Sequence, residues 1–297
     1  MKVFYKTHSL ITLPKGYSFL FNNLPNDIVT LCQIIRDLFI HIADEDIFNY
    51  AIPPERYKEM HYRYTHILLK KIFEKDNRSL VEKRSVSNRL IGICRDMALL
   101  VCSILRHRGI PARLRVGFAD YFTPGIYLDG MWLEYWDSNK EKWCMADVRT
   151  ASVHIEKYKL NIDFDLYDIP AEKFISAELA WKLCRECKIK PSRIGSRRVR
   201  GLWYVRDRLI QSLATLNKKE VLIWDMWGYM LNQDSKKQTM PTHQLFALDK
   251  LSEFLLENAY LVNQLQDYYQ SHPAFQIPEK LTIFNLYDGL VEEMVSM

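Results

Sequence analysis

Gly92-Ile93-Cys94-Arg95-Asp96, with the run that follows it to Asp147, decides the fold. After Cys94 comes Met97-Ala98-Leu99-Leu100-Val101-Cys102-Ser103-Ile104-Leu105. That stretch is apolar nearly all round, the pattern of a buried helix rather than a surface one. Arg106, His107 and Arg108 load its last turn with groups that suit a helix C-terminus, and Gly109 is the predicted stop. Cys94 therefore falls in the first turn of a central helix, where backbone N–H groups lack partners and the dipole is positive. A thiol placed there is favoured as the nucleophilic thiolate. Taken alone, it reads rather as a small buried hydrophobe, as most free cysteines do. The residues that follow shift the reading.

After Gly109-Ile110-Pro111 the period becomes two. Ala112, Leu114, Val116 and Phe118 alternate with Arg113, Arg115, Gly117 and Ala119, which predicts a strand. A loop with Pro124 and Gly125 leads to Met131-Trp132-Leu133-Glu134-Tyr135-Trp136. Asp137-Ser138-Asn139-Lys140 is turn chemistry, and Lys142-Trp143-Cys144-Met145-Ala146-Asp147 is a second rich strand. Residues 130–147 thus read as a hairpin. With Ser138-Asn139 as the loop pair, Trp136 faces Glu141, and counting outward sets Gly130 opposite Asp147, on one face of the sheet.

This order of motifs resembles the core of the transglutaminase-like superfamily. Its pattern is a Cys opening a helix, G-I-P-A-R at the helix end, a strand, then H-x-W or H-W, then W…D. Residues 92–147 match over that whole core apart from the histidine. Further segments resemble a bacterial subgroup of transglutaminase-domain proteins of about this length: Ile52-Pro53-Pro54-Glu55-Arg56, Gly117-Phe118-Ala119, Tyr121-Phe122-Thr123-Pro124-Gly125, Glu134-Tyr135-Trp136-Asp137, Gly201-Leu202-Trp203 and Leu216-Asn217-Lys218. The resemblance implies an α+β fold with a papain-like core: a central helix carrying the Cys, packed on an antiparallel sheet, with extra helices at both ends. It also implies a Cys–His–Asp triad. Cys94 matches the nucleophile and Asp147 the residue that orients the histidine. In the subgroup the strand before E-Y-W begins D-H-W; here the histidine position is Gly130. The implied chemistry is thiol-dependent acyl or amide transfer, or amide hydrolysis, on a peptide or small amide substrate, with no metal or organic cofactor.

Composition sets bounds. The chain has 297 residues, 48% hydrophobic and 26% charged, an ordinary globular profile. No apolar run approaches the ~18 residues that span a bilayer, and the N-terminus lacks a signal-peptide core. Six cysteines form no dense staple pattern. Cys184 and Cys187 make a single C-x-x-C, read as two reduced thiols on a helix rather than a zinc site. A cytoplasmic location is expected. The net charge of +5 is mild. Arg193, Arg197, Arg198 and Arg200 cluster, but without aromatic interleaving they read as a solvated loop rather than a nucleic-acid patch.

In chain order, Asp27 is the expected N-cap of a helix from Ile28 to Ile42, with His41 near its apolar stripe. Glu55 opens a second helix carrying Tyr57, Met60, Tyr64, Leu68 and Ile72. His61 and His66 on it are five apart, which is wrong for two ligands on one face. Residues 75–90 read as a surface loop. His154 is the nearest histidine downstream of Asp147. Asp163 to Asp168 lacks calcium-loop spacing. Helices are expected over Ser176 to Cys187, Arg206 to Leu216 and a long stripe from Leu245 to Leu265, after a linker at 232–243. The expected organisation is a transglutaminase-like domain over 1–230, with its core at 28–150, and a C-terminal helical segment over 244–297.

With Gly130 there is no imidazole to take up the proton of Cys94. Asp129 and Met131 are one residue off and point to the other face in a regular strand; Trp132 shares the face of Gly130. Two readings follow. The chain is a thiol enzyme using Cys94 and Asp147 without the usual base, or a catalytically inactive binding module that keeps the cleft.

Overall fold

In a computed structural model of the chain, residues 1–231, 239–285 and 289–295 are described. Helices α1 (Lys2–Lys6) and α2 (Ile28–Arg36) come first, then strand β1 (Phe39–His41), α3 (Glu45–Phe48), α4 (Thr65–Lys75), β2 (Leu90–Gly92) and α5 (Cys94–His107). Strands β3 (Ala112–Ala119), β4 (Tyr127–Asp137) and β5 (Lys142–Ala146) follow, then α6 (Ser152–Tyr158), β6 (Ile175–Ser176), α7 (Ala177–Arg185), β7 (Ile194–Gly195), α8 (Leu202–Leu216) and β8 (Asp225–Met226). The single long helix expected from Leu245 to Leu265 is broken after Asn258 into α9 (Thr242–Asn258) and α10 (Val262–Ser271), and the segment expected to be helical over 244–297 ends in strands β9 (Lys280–Asn285) and β10 (Gly289–Met294). Of the linker expected at 232–243, residues 232–238 lie outside the described residues. Among the described residues no helix is long and apolar enough to cross a membrane.

The fold is α+β. One sheet has the order β5-β4-β3-β6 with β7 alongside β4, a second pairs β1 with β2, and a third runs β10-β9-β8. The chain divides into two compact units, one of Lys2–Leu114 and Trp132–Ile169, the other of Met1, Arg115–Met131 and Pro170–Met297.

In the unit that contains Cys94, α5 is the centre. It starts at Cys94 and ends at His107, and Gly109 beyond it takes φ +72°, the left-handed stop that the sequence predicts. Every residue from Arg95 to Arg106 is buried. Two arginines in its last turns satisfy carbonyls: Arg106 Nε donates to Ala112 O at 2.8 Å, and Arg108 reaches Leu24 O and Pro25 O at 2.7 Å each. Asp27 caps α2 as expected, accepting from Thr30 N at 2.7 Å.

Further expectations are corrected. The helix predicted over Ile28 to Ile42 ends at Arg36. Phe39-Ile40-His41 instead forms a parallel ladder with Leu90-Ile91-Gly92, so the end of the presumed surface loop 75–90 is a buried strand. The second helix is broken into a 3-10 turn over Pro54–His61 and α4. There the buried Glu59 takes Arg56 and the N–H of Ile91, which ties that turn to β2. The hairpin β4–β5 forms, but in another register. Trp136 pairs with Trp143 and Leu133 with Ala146. The loop holds four residues, not two, because the Asp137 carboxylate accepts from Asn139 N and Lys140 N and Glu141 takes φ +50°. Continuing the ladder by one step brings Trp132, not Gly130, across from Asp147.

The alternation in β3 does not mark a wet face, since all eight residues are buried. Arg113 pairs with Glu134 under the rings of Tyr5 and Trp143. In the second unit Arg115 pairs with Glu178 at 3.0 Å, and Ser212 on α8 donates to the same carboxylate. Asp129 belongs to that unit as well, where it accepts from Tyr204 at 2.6 Å and faces Arg208. The Arg193, Arg197 and Arg198 side chains are exposed.

Candidate active site around Cys94

The thiol is positioned by a strand running directly into a helix. β2 ends at Gly92, Ile93 is extended at φ −129° and ψ 174°, and Cys94 is the first helical residue. Asp96 folds back to accept from Ile93 N at 3.0 Å with one oxygen and from Arg95 Nη1 at 3.0 Å with the other. Burial pushes its carboxyl above the ordinary carboxylate value, against the pull of Arg95. Arg95 also reaches Arg63 O at 2.7 Å.

Cys94 is partly exposed, whereas Cys32, Cys102, Cys144 and Cys184 are buried and Cys187 is exposed. Burial makes ionisation costly elsewhere: it pushes the Cys32 thiol up to about 12 and those of Cys144 and Cys184 up to about 11.

Asp147 lies one residue beyond β5 and is 5% exposed. Its backbone N–H leaves the ladder and donates to Leu166 O at 2.8 Å. Its carboxylate closes a tight turn, accepting from Arg149 N and Thr150 N at 2.9 Å each and from Thr150 Oγ1 at 2.6 Å. That turn presents Arg149. Arg149 Nη2 donates to Asp44 Oδ1 at 2.5 Å, and His154 Nε2 meets Asp44 Oδ2 at 3.1 Å. Because Ala151 N–H donates to His154 Nδ1, at 3.2 Å, the ring proton sits on Nε2 and points at Asp44. The nearest downstream histidine thus has both nitrogens engaged away from the sulfur.

The electrostatics link the two ends of the site. Burial would lower the Arg149 pKa, but Asp44, then Asp147, then Cys94 outweigh it and hold the guanidinium charge above the ordinary arginine value. Cys94 and Asp147 therefore both lie within electrostatic reach of one cation. Burial also opposes the Asp44 charge, yet the hydrogen bond from His154 and the charges of His41 and Arg149 hold its carboxyl well below the usual carboxylate range. Gly130 is buried in β4. Among the described residues no group of three or more His, Cys, Asp or Glu has the geometry to hold a metal ion.

Sequence reasoning missed Asp44 and Arg149. The only available signal was the short apolar run Leu38-Phe39-Ile40 opposite Leu90-Ile91, which brings the loop after β1 to the start of α5.

Residues 52–148 match the family described as the transglutaminase-like superfamily. The matched stretch is about a third of the chain. It contains Cys94, Gly130 and Asp147 and stops one residue short of Arg149. A crystal structure of a candidate cysteine protease from Cytophaga hutchinsonii is similar at 16% identity and a TM-score of 0.29. That similarity covers 58% of this chain and 44% of the other, so the chain spans less than half the length of that protein. Comparison with curated proteins gave no match.

Proposed function

We propose that the chain is a thiol enzyme in which Cys94 attacks the carbonyl of an amide or acyl group on a peptide-like substrate. The observation that carries this reading is the placement of Cys94. It is the first residue of a buried helix, partly exposed, and within the field of Arg149. The thiolate adds to the carbonyl carbon, and N–H groups in the first turn of α5 are suited to hold the developing oxyanion. Collapse expels the amine, which takes a proton, and leaves a thioester for water or a second amine to resolve. By its match to the family pattern Gly130 stands where the histidine would be, so no imidazole delivers that proton, and turnover is expected to be slow on amides. The same glycine favours a second reading, a binding module that keeps the cleft without turnover.

The two readings separate on reactivity. Alkylation of the native protein by iodoacetamide near neutral pH, mapped by peptide mass spectrometry, should label Cys94 well ahead of the exposed Cys187. An activated acyl ester should then leave one acyl group on Cys94. Labelling of Cys94 no faster than Cys187, with no acyl adduct, would support the binding module. Gly130→His should shift the Cys94 alkylation curve to lower pH and speed acylation. If that variant folds and its curve overlays the parent's, Gly130 is not the histidine position.

A further inference from the structure

We infer that Arg149, held by Asp44 and His154, is the cationic partner of the Cys94 thiolate, supplying the charge of the missing imidazolium but not its proton transfer. This rests on the reading of Cys94 as a reactive thiol.

Two chain segments bring the cluster to the start of α5. On one side, the β1–β2 ladder sets His41 opposite Gly92, two residues before Cys94. The chain then turns tightly: Ile42 N donates to Gly92 O, Ala43 N to His41 Nδ1, and Asp44 N to His41 O. Asp44 is thus presented at the end of β2 that feeds Cys94. On the other side, the turn closed by Asp147 delivers Arg149 to Asp44. The Arg149 side chain is 13% exposed, and its Nε is buried without a hydrogen-bond partner. A guanidinium with one donor pinned on Asp44 and another buried donor unspent is built to face a further anion. The hold of Arg149 on its own proton includes a contribution from Cys94, which agrees with that geometry. His154 locks Asp44 from behind through its second oxygen.

Other charged groups lie at this end, and His41 acts on Asp44 alongside Arg149. Arg95 and Asp96 on α5 are paired with each other. Arg36 donates to the carbonyls of Val148 and Thr150, on the turn that carries Arg149. His41 accepts from Ala43 N on Nδ1. With two carboxylates, Asp44 and Asp147, beside Arg149, its loss would remove a positive charge that offsets theirs at Cys94. An opposite charge at close range lowers a pKa by about 1–3 units, each unit a tenfold change in ionised fraction below the pKa.

The test is the pH dependence of Cys94 alkylation by iodoacetamide in the full chain, with folding checked by circular dichroism. Arg149→Met should slow labelling at pH 7 by about tenfold or more and move the curve to higher pH, and Arg149→Lys should recover part of the loss. Asp44→Asn, whose amide oxygen can still accept from Arg149 while its negative charge is gone, should act in the opposite direction and speed labelling. A merely structural role would not produce opposite signs. If Arg149→Met folds and its curve overlays the parent's while Cys94 stays selectively labelled, the inference falls and the thiol reading stands. If Arg149→Met does not fold, Asp44→Asn decides, and unchanged or slower labelling overturns the inference. Absence of selective Cys94 labelling in the parent would remove the thiol reading itself.

Discussion

Gly92 governs how closely Asp96 folds over the start of α5. A Cβ there would come within 2.9 Å of the Phe39 ring and 3.1 Å of Asp96 Oδ2. Gly92→Ala should therefore cost about 1–3 kcal/mol, the range for an overpacked core site, and Phe39→Leu should restore part of it. Urea unfolding of the two variants and their combination checks this; additive losses would show that the ring is not the obstacle. At this scale the sequence was legible where a residue's role is local. The helix start at Cys94, the Gly109 stop and the Asp27 cap all follow from neighbours within one helical turn. Arg149 was not legible, because its partner Asp44 lies 105 positions away. His154 was noticed, but what it does depends on Asp44, 110 positions distant.

Among elements, the β4–β5 hairpin shows how one side chain moves a register. Alternation in each strand marked both as strands and fixed the face that each residue takes. The number of loop residues was left to the turn, and Asp137 settled it by capping Asn139 and Lys140. The shift is two residues, so the faces are kept while the partners change. Cys144 offers a direct check because it pairs with Tyr135. Under mild oxidation Tyr135→Cys should cross-link to Cys144, since cross-strand partners fall within disulfide reach. Leu133→Cys, which a two-residue loop would set opposite Cys144, should not. Non-reducing peptide maps distinguish the two, and the reverse result would restore the shorter loop. The β1–β2 pair was hidden for another reason. Leu38 and Ile42 continue the helical stripe begun at Val29, and three-residue strands are too short for alternation to compete with it.

For the whole molecule, buried carboxylates act on stability in opposite directions. Burial pushes Asp207 up to about 6, against Arg206 and Arg208. Between the ordinary value of 3.8 and that one, the folded chain keeps a proton that the unfolded chain has lost. Stability from this group is present at low pH and declines as pH rises through 6. Asp44, depressed in the fold, contributes above the ordinary carboxylate range and loses its contribution as pH falls below it. Asp207→Asn should remove a decline of about 2–3 kcal/mol between pH 4 and 7. Urea midpoints across that range test it, and parallel slopes in parent and variant would refute it. The division of the chain has a further bearing on how the thiol comes into being. The unit that houses Cys94 is written in two pieces, 2–114 and 132–169, and the strand end leading into the Asp147 turn is pinned by Asp147 N donating to Leu166 O and Ile169 N donating to Met145 O. On a ribosome, where synthesis is vectorial, Cys94 emerges long before the segment that seats its neighbours. On the reading proposed above, the nascent thiol spends that interval without its cationic partner and becomes reactive only once about seventy-five more residues have been made.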